Sequence, residues 1–394
     1  MDEQDKQIRT LTKWNRLLSY ILVATVASAV TFFLCLKPAQ SGGKLQQLEQ
    51  ILTQCFIGET DTVKMEDAAA AAMVASLGDR WSYYISAADY GAYLEQVNNA
   101  YVGIGITVLT QKDDAGFVVT KVEAAGGAEA AGIQVGDVVI AVNGQKISDL
   151  GADAAREQIR GKENTWVKLT LFRGETQLEL DVERKTIKVP VAQGQMLENN
   201  IGLIKIYNFD ERCTEETLAA VDQLCKDGAQ SLIFDVRNNP GGFKHEMVDI
   251  LNYLLPEGDL FRSLNYKGEE SVDTSDADCL KMPMAVIVNG ESYSAAEFFA
   301  AALEEYDWAV TVGEQTCGKG YFQNTIKLSD GSAVGLSVGK YFTPNGVSLA
   351  EAGGLTPQIL VEVDEKTAAA IYAGTLTPQE DPQIQAAITA LTQR

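Results

Sequence analysis

Ser231-Leu232-Ile233-Phe234-Asp235-Val236-Arg237-Asn238-Asn239-Pro240-Gly241-Gly242 sets how the carboxyl-terminal half of this chain folds. Residues 231–236 are a short, mostly apolar run with no polar alternation, as expected of a strand buried on both faces. Pro240 and the two glycines end the run in a turn. Residues 243–255 then carry helical spacing. The same alternation continues outward, with strands over 201–207, 284–288 and 309–313, and helices over 214–226 and 294–303. Further strands are expected over 331–337 and 340–343. This predicts an α/β core, a mixed sheet with flanking helices, over residues 187–394. Active sites on such sheets collect where strands hand over to helices, and Pro240-Gly241 and Ser294 both fall at handovers.

Towards the amino terminus the character changes. Residues 99–186 read as short β-rich runs (102–109, 116–122, 138–142, 167–172, 178–182) with one helix near 153–160. Gly103-Ile104-Gly105-Ile106, Ala131-Gly132-Ile133-Gln134-Val135-Gly136-Asp137 and Val142-Asn143-Gly144 resemble the landmarks of a PDZ domain. A glycine-bearing loop ahead of a strand offers backbone N–H groups to a terminal carboxylate, and the strand edge can take up an added peptide strand. Gly103, Ile104, Gly105 and Ile106 are therefore the candidate peptide-binding residues.

Residues 44–98 show helical spacing, including Leu45, Leu48, Ile51 and Leu52 and an alanine-rich stretch, and are expected to form a helical arm that Asp79 to Tyr84 breaks and that resumes over Ala87 to Val97. Such an arm either makes a homodimer or packs on its own main domain. Residues 17–36 are uncharged and apolar, long enough for a helix that crosses a bilayer. Lys6, Arg9, Lys13 and Arg16 precede them and only Lys37 and Lys44 follow closely, so the positive-inside rule leaves residues 1–16 as a cytoplasmic tail. The expected protein is anchored in the cell membrane by one span, with its catalytic part on the extracytoplasmic side.

The formal net charge of -22 argues against nucleic acid as a partner, because a phosphate backbone would be repelled. The six cysteines (35, 55, 213, 225, 279, 317) lack the paired short spacings of zinc sites, so no metal is expected. Cys213 and Cys225 either bridge or sit as helical core residues.

Ser294 lies in Glu291-Ser292-Tyr293-Ser294-Ala295-Ala296-Glu297, and Lys319 in Cys317-Gly318-Lys319-Gly320-Tyr321-Phe322-Gln323, 25 positions later. A serine hydroxyl needs a base. His245 is the sole imidazole, on an expected helix, where it is either that base or a surface residue. Lys319 is the other candidate, since burial lowers an amine towards neutrality and Gln323 can hold its nitrogen. Flanking glycines allow close packing around the lysine. The amide of Ala295, at a helix start, and that of Gly241 or Gly242 in the facing turn, with Gly241 put first, are candidate oxyanion donors. Asn238 and Asn239 either pin that turn or follow ordinary turn chemistry.

Taken together, the anchor, arm, PDZ-like region, Asp235 to Gly242, Ser294 and Lys319 resemble the carboxyl-terminal processing peptidases, a family of tail-specific serine peptidases. Tyr341 to Gly346, Gly353 to Gln358 and Asp381-Pro382-Gln383 extend the resemblance. It implies that Ser294 and Lys319 form a catalytic dyad supported by Gln323, and that the PDZ domain captures the unstructured C-termini of protein substrates. It also implies that Arg160 couples peptide binding to the active site, and that no cofactor is needed. Ala296, Tyr293 and Cys317 depart from the family pattern. A catalytically silent scaffold that binds protein tails at the membrane is the alternative.

Overall fold

The computed structural model describes residues 25–26 and 43–393. The expected membrane span, except for Thr25 and Val26, lies outside the described residues. Among those described, no helix is long and apolar enough to cross a membrane. The chain divides into one unit running to Met73 and a second from Val74 onward. In the first, helices Lys44–Cys55 and Thr62–Ala75 face one another, Leu45, Leu48 and Leu52 opposite Met65 and Ala69 around a cavity of about 310 Å³.

The second unit contains the PDZ-like region and the α/β core. In the former, an antiparallel sheet runs in the order Ile106–Thr110, Phe117–Val122, Val138–Val142, Trp166–Arg173, Thr176–Glu183. Helix Ala152–Ile159 closes a core of Phe117, Val139, Leu169 and Leu171. The expected single strand over 102–109 is broken at Ile104-Gly105, where Gly105 takes φ +78°. The piece before the break, Ala100–Gly103, pairs with Lys185–Lys188 instead.

The sheet of the α/β core is ordered Ala192–Met196, Ile201–Ile206, Ser231–Asp235, Met284–Val288, Ala309–Gly313, Ile359–Leu360. Its first pair is antiparallel and the rest parallel. Leu232 and Phe234 point to one face, against Phe299 and Leu251 of the flanking helices. Ile233 points to the other, against Ile384 and Leu391 of helix Pro382–Thr392. This period-two division explains why the run had to be apolar throughout. Each such side chain contributes roughly 1.5–3 kcal/mol on burial. Arg237, buried at the strand end, pairs with Asp235 at 2.7 Å and Asp381 at 2.8 Å and donates to Gln383, which ties the last helix to the sheet.

A second sheet runs Tyr83–Ile85, Ala333–Phe342, Gly258–Asn265, Glu270–Ser275, with Tyr321–Lys327 also paired to Ala333–Phe342. The break expected over Asp79 to Tyr84 is present between helices Thr62–Ala75 and Tyr90–Val97, and part of it is a strand. Tyr83-Tyr84-Ile85 is β-prone and joins this sheet opposite Gly335, Val334 and Ala333. The strands expected over 331–337 and 340–343 are one continuous strand, and the hairpin 258–275 is an addition to the expected elements.

Candidate active site

Three neighbouring parallel strands release three loops at their carboxyl ends. The middle strand, Met284–Val288, leads to Ser294. On one side Ser231–Asp235 leads to the glycine turn 239–242, and on the other Ala309–Gly313 leads to the lysine loop 314–320. Strand order alone brings the three motifs together.

Ser294 is buried and precedes helix Ala295–Glu305 with φ +59° and ψ −127°, a backbone state that a non-glycine residue rarely adopts. Such a turn holds the side chain at a strand-to-helix corner. The turn is over-determined by its neighbours. Asn238 and Asn289 exchange hydrogen bonds at 2.9 and 3.0 Å, Ser292 Oγ donates to Val236 O at 2.7 Å, and Tyr293 N donates to Asn239 O at 3.2 Å. Asn239 is fully buried and donates to Ile206 O. The asparagines thus pin the turn.

Gly241 sits against the serine so closely that a Cβ there would lie 2.7 Å from Ser294 Cβ and 2.9 Å from Ala295 N. Its φ of +90° also excludes most side chains. Its N–H, however, donates to Asn239 Oδ1 at 2.8 Å. The amides of Ala295 and Gly242 have no hydrogen-bond partner among the described residues. The two free donors beside Ser294 are therefore Ala295 and Gly242, with Gly241 providing the close approach.

Lys319, Ser294, Gln323, Gly241 and Gly242 line one cavity of about 1000 Å³. Burial pushes the Lys319 amine down to about 8, against smaller opposing effects of Cys317, Glu297 and Asp79. Its Nζ lies 4.7 Å from the centroid of the Trp81 ring and 5.9 Å from that of Tyr293, two rings that contact each other. No hydrogen bond joins it to Ser294 Oγ among the described residues. Instead, the Ser294 side chain lies beside the Tyr341 hydroxyl. Gln323 donates to Tyr321 O and Ser337 Oγ at 3.1 and 3.0 Å, and not to the lysine. Gly318 and Gly320 do permit close packing, but against Gly354 and Ala350 and not around the lysine stem.

The profile of peptidase family S41 matches residues 200–361, and that of the PDZ domain matches residues 94–172. Over 359 residues the chain is 33% identical to the carboxy-terminal processing protease CtpA of Bacillus subtilis (strain 168), covering 88% of this chain and 76% of that protein. The chain belongs to peptidase family S41. A probable CtpA-like serine protease of Staphylococcus aureus (strain COL) is 31% identical over 383 residues, covering 93% of this chain and 76% of that one. Among solved structures, the photosystem II D1 C-terminal processing protease is similar at a TM-score of 0.47 and 24% identity, over 82% of this chain and 87% of that one.

Within this S41 peptidase, the residue that sequence reasoning passed over is Glu297. It is fully buried, and its carboxylate accepts from Ser294 N at 2.9 Å, Gly318 N at 2.6 Å, Lys319 N at 2.9 Å and Thr316 Oγ1 at 2.5 Å. One side chain thereby fastens the serine loop to the lysine loop. Burial pushes its carboxyl above the usual range, while these hydrogen bonds pull it back. The Ser-x-x-Glu spacing of a helix start was the available signal. Trp81 and Tyr341 were also missed, because nothing local links residue 81 to residue 319.

His245 is exposed, stacks on Phe243 and is not part of the cavity lining. Cys213 and Cys225 are both free thiols, Cys213 buried in helix Cys213–Lys226. Cys317 Sγ accepts from Arg80 at 3.2 Å. In the PDZ domain of the peptidase, Gly103, Ile104 and Gly105 are buried, and the amides of Ile104 and Gly105 lack partners among the described residues. Ile106 begins the edge strand of that sheet, so one strand side is open. Arg160 is exposed at the end of helix Ala152–Ile159.

Proposed function

We propose that this S41 peptidase is a membrane-anchored, extracytoplasmic serine endopeptidase that acts on proteins recognised by their C-terminal tails. The observation that carries the chemistry is the one cavity lined by Ser294, Gly242 and a Lys319 amine lowered by burial, with the unpaired amide of Ala295 next to the serine in the chain. Ser294 Oγ attacks the scissile carbonyl while the neutral Lys319 amine takes its proton. The developing oxyanion is held by the amides of Ala295 and Gly242. Collapse of the tetrahedral adduct breaks the C–N bond, and Lys319 returns the proton to the leaving amine. Water, deprotonated by the same amine, then releases the acyl group from the serine. For the dyad to engage, Nζ swings from the Trp81 face towards Oγ, and Gln323 then steadies it.

The tail specificity rests on the name of the Bacillus relative and on the open strand edge beside Gly103, Ile104, Gly105 and Ile106. The membrane anchor rests on the hydropathy and flanking charge of residues 17–36. Full-length protein in detergent is expected to cleave an unfolded substrate. Ser294→Ala and Lys319→Ala are each expected to reduce cleavage at least about 1000-fold, with melting temperatures unchanged. Full activity in either variant would refute the dyad.

A further inference from the structure

Asp210 lines the same cavity as Ser294 and Lys319, yet hydrolysis makes no use of it. It follows Phe209, whose N–H donates to Gly241 O at 2.7 Å and whose carbonyl accepts from Phe243 N at 2.7 Å. The backbone of 209–210 therefore runs beside the glycine turn. A Cβ on Gly242 would come within 2.6 Å of Asp210 N. The Asp210 amide is held by Asn208 Oδ1 at 3.0 Å, and Glu211 N donates to Val97 O. The residue is fixed one backbone layer from the oxyanion donors.

Its carboxylate, in contrast, has no hydrogen-bond or ion-pair partner among the described residues. Burial, together with the carboxylates of Glu211 and Glu246, pushes it up to about 7. No basic side chain is paired with it among the described residues. Arg212 is directed to Glu216 and to the carbonyls of Asn99 and Val189. Asp89, the other carboxylate of the cavity lining, is bonded to Ser86 Oγ at 2.6 Å. Lys319 is the one cation among the lining residues described, and the proposed chemistry needs it neutral. Substrate binding would strip further water from this carboxyl, which is then neutralised either by a proton or by a positive charge that the substrate brings, and only the second adds to substrate affinity. Tyr84 and Tyr93 of the same cavity suit the aliphatic stem and charged head of such a side chain.

We propose that Asp210 forms a subsite for a lysine or arginine side chain of the substrate, close to the cleaved bond. The proposal rests on the serine–lysine reading above and adds a substrate class to it. The full-length enzyme in detergent would be incubated with a peptide library generated by cleavage after glutamate, and the new termini read by mass spectrometry. Wild type is expected to enrich Lys and Arg at one position near the cut. Asp210→Asn is expected to lose that enrichment, lowering kcat/KM for the best lysine peptide about tenfold relative to its norleucine counterpart. Asp210→Lys is expected to favour Asp or Glu at the same position. Unchanged enrichment in Asp210→Asn, or no basic preference in wild type, would overturn the subsite. Cleavage by Ser294→Ala at the wild-type rate would instead overturn the nucleophile assignment. A thermal melt of Asp210→Asn at or above wild type is expected, since the change relieves repulsion from Glu211 and Glu246 without breaking a hydrogen bond.

Discussion

The two halves of the active site are built differently. The serine half lies at the end of a fully buried strand and the start of a buried helix, and its turn is held by Asn238, Asn239, Asn289 and Ser292. The lysine half is a loop whose backbone is fixed by Glu297 and by residues 353–355, while its side chain ends among aromatic faces with no partner at the serine. In the proposed mechanism, nucleophile and oxyanion donors are thus set in advance, and the base is the part that must move. Two neighbouring loops of one sheet can therefore differ in side-chain freedom although a single carboxylate holds both backbones.

The largest effect expected on this contrast comes from the charge of the lysine. Activity needs the neutral amine, so it should rise with pH and level off above about 8, where the amine is mostly deprotonated. Two pH units lower, the neutral fraction and the rate fall about 100-fold. Lys319→Arg should be inactive at every pH, because a guanidinium does not deprotonate in proteins. A pH–rate profile of kcat/KM that is flat from 6 to about 8 would remove the contrast between the two halves.

Next comes the shared carboxylate. Glu297→Ala leaves the amides of Ser294, Gly318 and Lys319 unpaired, at about 1–3 kcal/mol for each one that stays buried. A lowered melting temperature is expected together with loss of most activity. Unchanged stability would mean that the two loops are held independently.

A smaller effect is expected from the aromatic cover. Trp81→Ala admits water to the amine and should move the rising limb of the pH profile towards the ordinary lysine range, with about a tenfold loss at neutral pH for every pH unit that the limb moves. Trp81→Phe should keep most of the wild-type profile. If the limb stays in place in Trp81→Ala, the dehydration comes from elsewhere in the cavity. The smallest change belongs to His245→Ala, which should leave kcat/KM within about twofold, as expected for an exposed residue outside the cavity. A large loss there would restore the histidine as the base.

Much of the site is legible in the chain itself, because its parts announce themselves locally. Ser294 and Lys319 stand in glycine- and alanine-rich handovers, and the strands behind them are unbroken apolar runs. The second sheet is harder to see. Its strands are half-exposed, and Glu270-Ser271-Val272-Asp273-Thr274-Ser275 has almost no apolar residue from which to infer burial. Tyr83–Ile85 is hidden for another reason, since its partner lies some 250 residues further on. Gly241 is correctly placed at the serine by its motif, but which glycine amide is free depends on Asn239 turning back to bond it.

The order of residues alone specifies that strands alternate with helices, that a PDZ domain precedes them, and where the candidate nucleophile and base fall along the chain. Periodicity and glycine content are local properties, and they survive without a fold. Folding adds that Glu297 joins the two loops, that Trp81 covers the amine, and that Asp210 has no counter-charge paired with it among the described residues. Desolvation and hydrogen-bond completeness depend on what the rest of the chain brings to a point, and no single stretch of residues contains that information.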